Sequence, residues 1–205
     1  KIKSVTFPKD TTNTLERDIA KLGRRSRLRV GQPYDLDRIK AERERIDTRL
    51  KEQGYYYFSP DYLLVQVDST VGTKQVDLIV KVKEETPAKA RQIYTIDQIT
   101  IYPNYTLSTN DSIDMTKAKV EKYNDFTIID TVQTFNPRIY DRTLYFHKGD
   151  VYNRTDHNLS LNRLVNLGTF KFVKNEFRPS DSIQNALNAY YYSAQSEKKL
   201  NSQIY

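Results

Sequence analysis

Twice in this chain a Gly-x-x-Tyr tetrad opens a helical stretch that closes on a second glycine followed by aromatic residues. The first copy runs from Gly31-Gln-Pro-Tyr34 to Leu50-Lys-Glu-Gln-Gly54-Tyr-Tyr-Tyr-Phe58, the second from Gly149-Asp-Val-Tyr152 to Leu164-Val-Asn-Leu-Gly168-Thr-Phe170-Lys-Phe172. Self-similarity of this kind constrains the fold more than any single motif, because each copy must supply its own helix and strands. Gly31 and Gly54 are 23 residues apart, Gly149 and Gly168 are 19. The difference of four is about one helical turn, which lengthens a helix without rotating its buried face.

Around these anchors the elements follow one order. Lys1–Phe7 alternates and stops at Pro8, the pattern of a strand. Asp10-Thr-Thr-Asn13 offers N-caps for a helix with Leu15, Ile19 and Leu22 at helical spacing. Asp35 caps a second helix whose stripe is Leu36, Ile39, Ile46 and Leu50, with Arg43 the odd member. Gly54 supplies the left-handed residue that ends it. Asp61–Asp68 and Val76–Val82 alternate around a turn at Thr70–Lys74, as a hairpin does. The charged, proline-bearing stretch Glu84–Ala88 separates the copies, which places one module at 1–87 and another at 88–192.

The second copy repeats the order strand, helix, helix, strand, strand with an insertion at about 103–133. Its first strand is Ile93–Tyr102, its helices Pro137–Phe146 and Asp156–Leu167, its closing strands Thr169–Phe177 and Asn185–Tyr192. The insertion reads as a polar loop at Ser108–Asp114 and a strand near Phe126–Asp130, and 193–205 as a polar tail. Two modules of roughly 90–100 residues fit 205 residues. The fold class is α+β, each module β-α-α-β-β with two helices packed on a small mixed three-stranded sheet.

Those residues carry a resemblance. The Gly-x-x-Tyr opening, the helix closing on Gly-Tyr or Leu-Gly-x-Phe and the element order resemble POTRA modules of the BamA and TamA family of outer-membrane assembly proteins. The run Gly149–Val173 looks like the last such module of the surface-antigen type in Bacteroidetes. The resemblance implies a location at the periplasmic face of the outer membrane and a C-terminal β-barrel beyond the tail. It implies unfolded outer-membrane proteins as partners, with accessory lipoproteins as further ones. It also implies that the hairpin strand Asp61–Asp68 lies at a sheet edge and binds clients through Tyr62, Leu63, Leu64, Val65, Gln66 and Val67. Gly31, Tyr34, Gly54, Gly149, Tyr152, Gly168 and Phe170 are then structural. The rival reading of the same modules is a periplasmic scaffold that binds accessory lipoproteins or cell-wall components without touching clients.

Chemistry of other kinds has little to rest on. The chain has no cysteine, so disulfides and thiolate metal sites are excluded. His147 and His157 lack an acidic ligand set, and no Gly-x-Ser-x-Gly elbow or phosphate loop occurs. We expect no enzyme activity, no metal, no cofactor and no small-molecule substrate. The net charge of +7 is spread along the chain, without the aromatic-basic pattern of a nucleic-acid face, so nucleic acid is not an expected partner. Sixteen tyrosines and no tryptophan suit half-covered sheets. The runs Tyr55–Phe58 and Tyr190–Tyr192 alternate faces, so about half of each must leave the core.

Overall fold

A computed structural model of the chain describes residues 1–9, 12–105, 118–130 and 136–195. It divides into two units, one of Lys1–Tyr94 with Tyr152–Arg154, the other of Thr95–Val151 with Thr155–Tyr205.

In the first unit the strands β1 (Ile2–Thr6), β2 (Leu63–Asp68) and β3 (Val76–Val82) form a mixed sheet in the order β1-β3-β2. β1 runs parallel to β3 and β2 antiparallel to it. The helices α1 (Thr14–Gly23) and α2 (Leu36–Lys51) supply Leu15, Ile19, Ile46 and Leu50 to a core closed by Leu63 and Val80 of the sheet. Asn13 caps α1, its Oδ1 accepting from the N–H groups of Leu15 (3.0 Å) and Glu16 (3.4 Å). The earlier cap candidates Asp10 and Thr11 lie outside the described residues. Removing a cap of this kind costs about 1 kcal/mol. Asn13→Ala is therefore expected to lower the unfolding free energy by about that amount in urea titration, and Asn13→Asp to restore it.

The expected stripe of α2 needs one correction. Ile39, Ile46 and Leu50 are buried, but Leu36 is 61% exposed, one turn before the first buried residue of the helix. The buried face is completed by Glu42 and Asp47, two acids that hydropathy alone assigns to water. Gly54, at φ 98°, lets the chain reverse so that the Tyr55 N–H returns to the Leu50 carbonyl at 3.1 Å.

The second unit departs further from expectation. Its sheet has five strands, not three, in the order β5-β6-β4-β8-β7. They are β4 (Thr95–Tyr102), β5 (Lys119–Tyr123), β6 (Phe126–Asp130), β7 (Phe170–Pro179) and β8 (Ala186–Gln195). The two extra strands come from the insertion. Phe126, Ile128 and Asp130 alternate inward, and β6 lies parallel to β4 through Ile99–Ile101. A two-residue turn with Asn124 at φ 49° folds β5 back onto β6. The polar loop expected at Ser108–Asp114 lies outside the described residues. The first helix is only α3 (Arg138–Thr143), and Leu144 and Phe146 beyond it are buried outside any helix. α4 (Arg154–Asn166) is the longer one, and Gly168 follows it at φ 66°.

The repeat is visible in backbone hydrogen bonds. In the first unit the Gly31 N–H donates to Ile2 O and the Ile2 N–H to Gln32 O, both at 2.8 Å. In the second the Gly149 N–H donates to Ile96 O at 2.7 Å and the Ile96 N–H to Asp150 O at 2.8 Å. Both first strands also shift register at the same place, between Ile2 and Ser4 and between Ile96 and Gln98. Each Gly-x-x-Tyr tetrad thus docks on the start of its strand, with its glycine at positive φ (84° and 89°). The tyrosines differ: Tyr152 is fully buried, edge-on to Tyr56 at 4.8 Å, whereas Tyr34 is 40% exposed.

Candidate functional site: an undefended strand edge

β2 forms one edge of the first sheet. The chain enters it through a single 3-10 turn, Pro60–Tyr62, so Tyr62 belongs to the turn and not to the strand. Arg43, the odd member of the helical stripe, holds that turn from α2. Its Nε donates to the Pro60 carbonyl at 2.9 Å and its guanidinium meets the Asp61 carboxylate at 3.1 Å.

The phase of the ladder decides which backbone groups are open. The Lys83 N–H donates to Tyr62 O at 2.9 Å, and Leu63 lies opposite Val82. Antiparallel pairs alternate, so Leu64, Gln66 and Asp68 spend their N–H and C=O groups on β3. Leu63, Val65 and Val67 therefore direct theirs away from the sheet. Side chains grade along the strand from Leu63 in the core to Val67 at 37% exposure, and Leu64 on the opposite face is 43% exposed. Lys81 reaches across to Gln66 Oε1 at 3.1 Å.

Edges are ordinarily blunted by lysine, proline or bulges. Leu63-Leu-Val-Gln-Val-Asp68 has none of these and carries one acid at its end. The other edges are defended. β5 has Lys119, Glu121 and Lys122, β1 has Lys3, a register shift and the Gly31–Gln32 strap over Ile2, and β7 has Lys171, Lys174 and Pro179. β7 is a second edge that the sequence reading did not assign. The Ser180 N–H bond to Ala186 O (2.9 Å) sets its phase and turns the backbone N–H and C=O groups of Val173, Asn175 and Phe177 away from β8. Nothing in the sequence marked it, since β8, an interior strand, has the same ten-residue length.

The aromatic runs divide as alternation requires. Tyr55 and Phe58 enter the first core, and Tyr55 Oη donates to Asp18 at 2.9 Å. Tyr191 is buried, while Tyr190 and Tyr192 share the other sheet face, where Tyr192 stacks on Tyr102 at 5.0 Å and 6°. Arg178 and Lys174 lie over these rings at 4.9 and 5.9 Å, so their faces are already occupied. Phe170 is buried against Tyr140. His147 sits 3.5 Å from Asp150 near the surface, and His157 packs against the Phe177 ring at 4.9 Å. Among the described residues no group of three or more potential ligands could hold a metal ion, and no helix is long and apolar enough to cross a membrane.

Residues 1–85 match the family model described as POTRA, the surface antigen variable number repeat. The fold is similar to BamA from Haemophilus ducreyi lacking POTRA domains 1–3, with a TM-score of 0.51 at 12% identity over 96% of this chain and 28% of that one. It is also similar to POTRA1–3 of the periplasmic domain of Omp85 from Anabaena, with a TM-score of 0.42 at 16% identity over 97% of this chain and 65% of that one. This chain thus spans less than two thirds of either structure. No curated protein matches the sequence.

Proposed function

We propose that the chain is the periplasmic receiving region of an outer-membrane protein assembly factor, a binding module without a catalytic step. β2 pairs through its backbone with unfolded β-barrel clients, which pass on toward a C-terminal β-barrel. The POTRA match over 1–85 and the fold shared with BamA support this reading. The observation that carries it is that the least protected edge of the described sheets is β2. In this reading the first unit receives the client and the second lies nearer the barrel.

Strand addition suits such a task because backbone groups are common to every client. Three outward residues can make about six backbone bonds worth about 1 kcal/mol each before ordering costs. The dissociation constant is then no tighter than roughly tens of micromolar, weak enough for hand-over.

Val65→Pro tests the site. It removes an outward donor and no ladder bond to β3, so photo-cross-links from Leu64 to clients in the full-length protein should fall by about fivefold or more. Gln66→Pro, which breaks the ladder itself, serves as the destabilised control. Unchanged cross-linking by a folded Val65→Pro protein sinks edge binding. Cross-links to a lipoprotein in place of clients would favour the scaffold.

A further inference from the structure

The strap between α1 and α2 does work that neither the core nor the β2 edge explains. From the last turn of α1 through the strap, Lys21–Tyr34 contains five cations, Lys21, Arg24, Arg25, Arg27 and Arg29, and no acid. Its backbone is fixed at several points. The Arg25 and Ser26 N–H groups return to Leu22 and Gly23, and the Arg27 N–H donates to Glu42 at 3.0 Å. Leu28 is buried beside Ile2, Ile39 and Leu78, and Gly31 is tied to Ile2.

The side chains behave differently. Lys21 is paired with Asp18 at 2.9 Å. Arg24, Arg25, Arg27 and Arg29 are all exposed, and their guanidinium groups make no ion pair or hydrogen bond among the described residues. In the groove beside Arg27, Arg45 is spent on the buried Glu42 and Arg49 on Glu52 at 2.8 Å, which leaves Glu44 as an acid near Arg27; Arg24, Arg25 and Arg29 do not line it. The acids that follow the strap are near cations of their own, Asp35 at 3.9 Å from Arg38 and Asp37 at 3.8 Å from Lys40.

The same stretch and the first residue of α2 expose apolar side chains. Val30 is 66% exposed, Tyr34 40% and Leu36 61%, which places three uncovered apolar or aromatic groups within twelve residues of Arg25. Cations on a fixed backbone, followed within a few residues along the chain by exposed Val, Tyr and Leu, fit a surface that rests on anionic lipid: guanidinium groups grip phosphates, and apolar tips enter the head-group layer. A purely acidic segment would satisfy the arginines but leave the apolar groups in water.

We infer that Arg24, Arg25, Arg27 and Arg29, with Val30, Tyr34 and Leu36, form a peripheral docking surface for an anionic phospholipid membrane. It lies on a different element from β2 and does not depend on client binding.

Sedimentation of the chain with vesicles tests it. Vesicles of phosphatidylcholine with about 30% phosphatidylglycerol should bind it, pure phosphatidylcholine should not, and raising salt from ~0.05 to ~0.3 M should release it. Arg24→Gln/Arg25→Gln/Arg27→Gln/Arg29→Gln should bind ~100-fold more weakly or worse. Val30→Ser/Leu36→Ser should lose ~10-fold and keep its salt dependence. The proposal is overturned if the chain ignores anionic vesicles at low salt. It is also overturned if the quadruple variant, folded by circular dichroism, binds as well as the parent. Equal affinity for polyglutamate, with Val30→Ser/Leu36→Ser unaffected, would assign the strap to an acidic protein and remove the membrane.

Discussion

Glu42→Ala is expected to destabilise the first unit by about 3–5 kcal/mol, a large share of the stability of a small domain. The Glu42 side chain is fully buried, receives Arg45 through Nη2 at 2.7 Å and Nε at 2.9 Å, and accepts the Arg27 N–H at 3.0 Å. Truncation leaves the Arg45 guanidinium, itself largely buried, with only the Leu22 carbonyl at 3.0 Å, and strands the Arg27 amide. Urea titration of the single variant checks the size of the loss. Glu42→Met/Arg45→Met removes both charges, so it should cost less than Glu42→Ala, because the penalty comes from the unpaired partner and not from absence of the pair.

The same group gives a pH dependence of definite sign. Burial pushes the Glu42 carboxyl up, but the Arg45 hydrogen bond, the Arg27 N–H and the Ser26 hydroxyl outweigh it and hold the carboxyl below its ordinary 4.5. A folded value below the unfolded one means stability that is fully present above pH 4.5 and lost as pH falls through the folded value. Asp47 on the same helix has the opposite sign. Burial raises it despite Lys51 at 2.8 Å, and one carboxylate oxygen has no hydrogen-bond partner. Its ionised form is a penalty at neutral pH that protonation relieves. The acid limb of a stability curve should therefore steepen in Asp47→Asn and flatten in Glu42→Gln, and a limb indifferent to Glu42→Gln would refute the assignment.

These two acids show where sequence reading stops. Periodicity found the buried face of α2 through Ile39, Ile46 and Leu50, because apolar residues at helical spacing must face the core. It could not find Glu42 and Asp47 there, because a buried acid depends on its partners. Glu42 takes one of them, Arg27, from a different element. Arg43 stood out as a misfit in the stripe, but its acceptor at Pro60 is set by the path of the chain after Gly54. The edge position of β2 followed from resemblance alone, since alternation marks a strand and says nothing of its neighbours. The ladder phase that opens Leu63, Val65 and Val67 needed the Lys83–Tyr62 bond. In the insertion, Phe126–Asp130 alternates and was legible as a strand. Lys119-Val-Glu-Lys-Tyr123 has too little apolar content to read as one, and only the Asn124-Asp125 turn signals its hairpin.

Phe126→Ala tests whether that hairpin is part of the second core or an appendage to it. Phe126 is 1% exposed and lies opposite both Ile99 on β4 and Tyr123 on β5. Truncating a buried phenylalanine costs about 3–5 kcal/mol through lost transfer energy and the cavity left behind. β6 meets β4 through only three residue pairs, Ile99–Phe126, Thr100–Thr127 and Ile101–Ile128. So short a junction has little to replace the lost ring. The Asp130 carboxylate, bonded to Asn104 Nδ2 at 2.6 Å, secures the far end of the strand. The expected result is that hydrogen-exchange protection collapses first in β5 and β6, while β7 and β8, joined by ten-residue strands, keep theirs. Collapse confined to the hairpin would mean that it opens as a local unit, free to uncover the edge of β4 at Ile99–Ile101. Simultaneous loss in β7 and β8 would show that the insertion is integral to the second core. Protection unchanged everywhere would refute the packing of Phe126 itself.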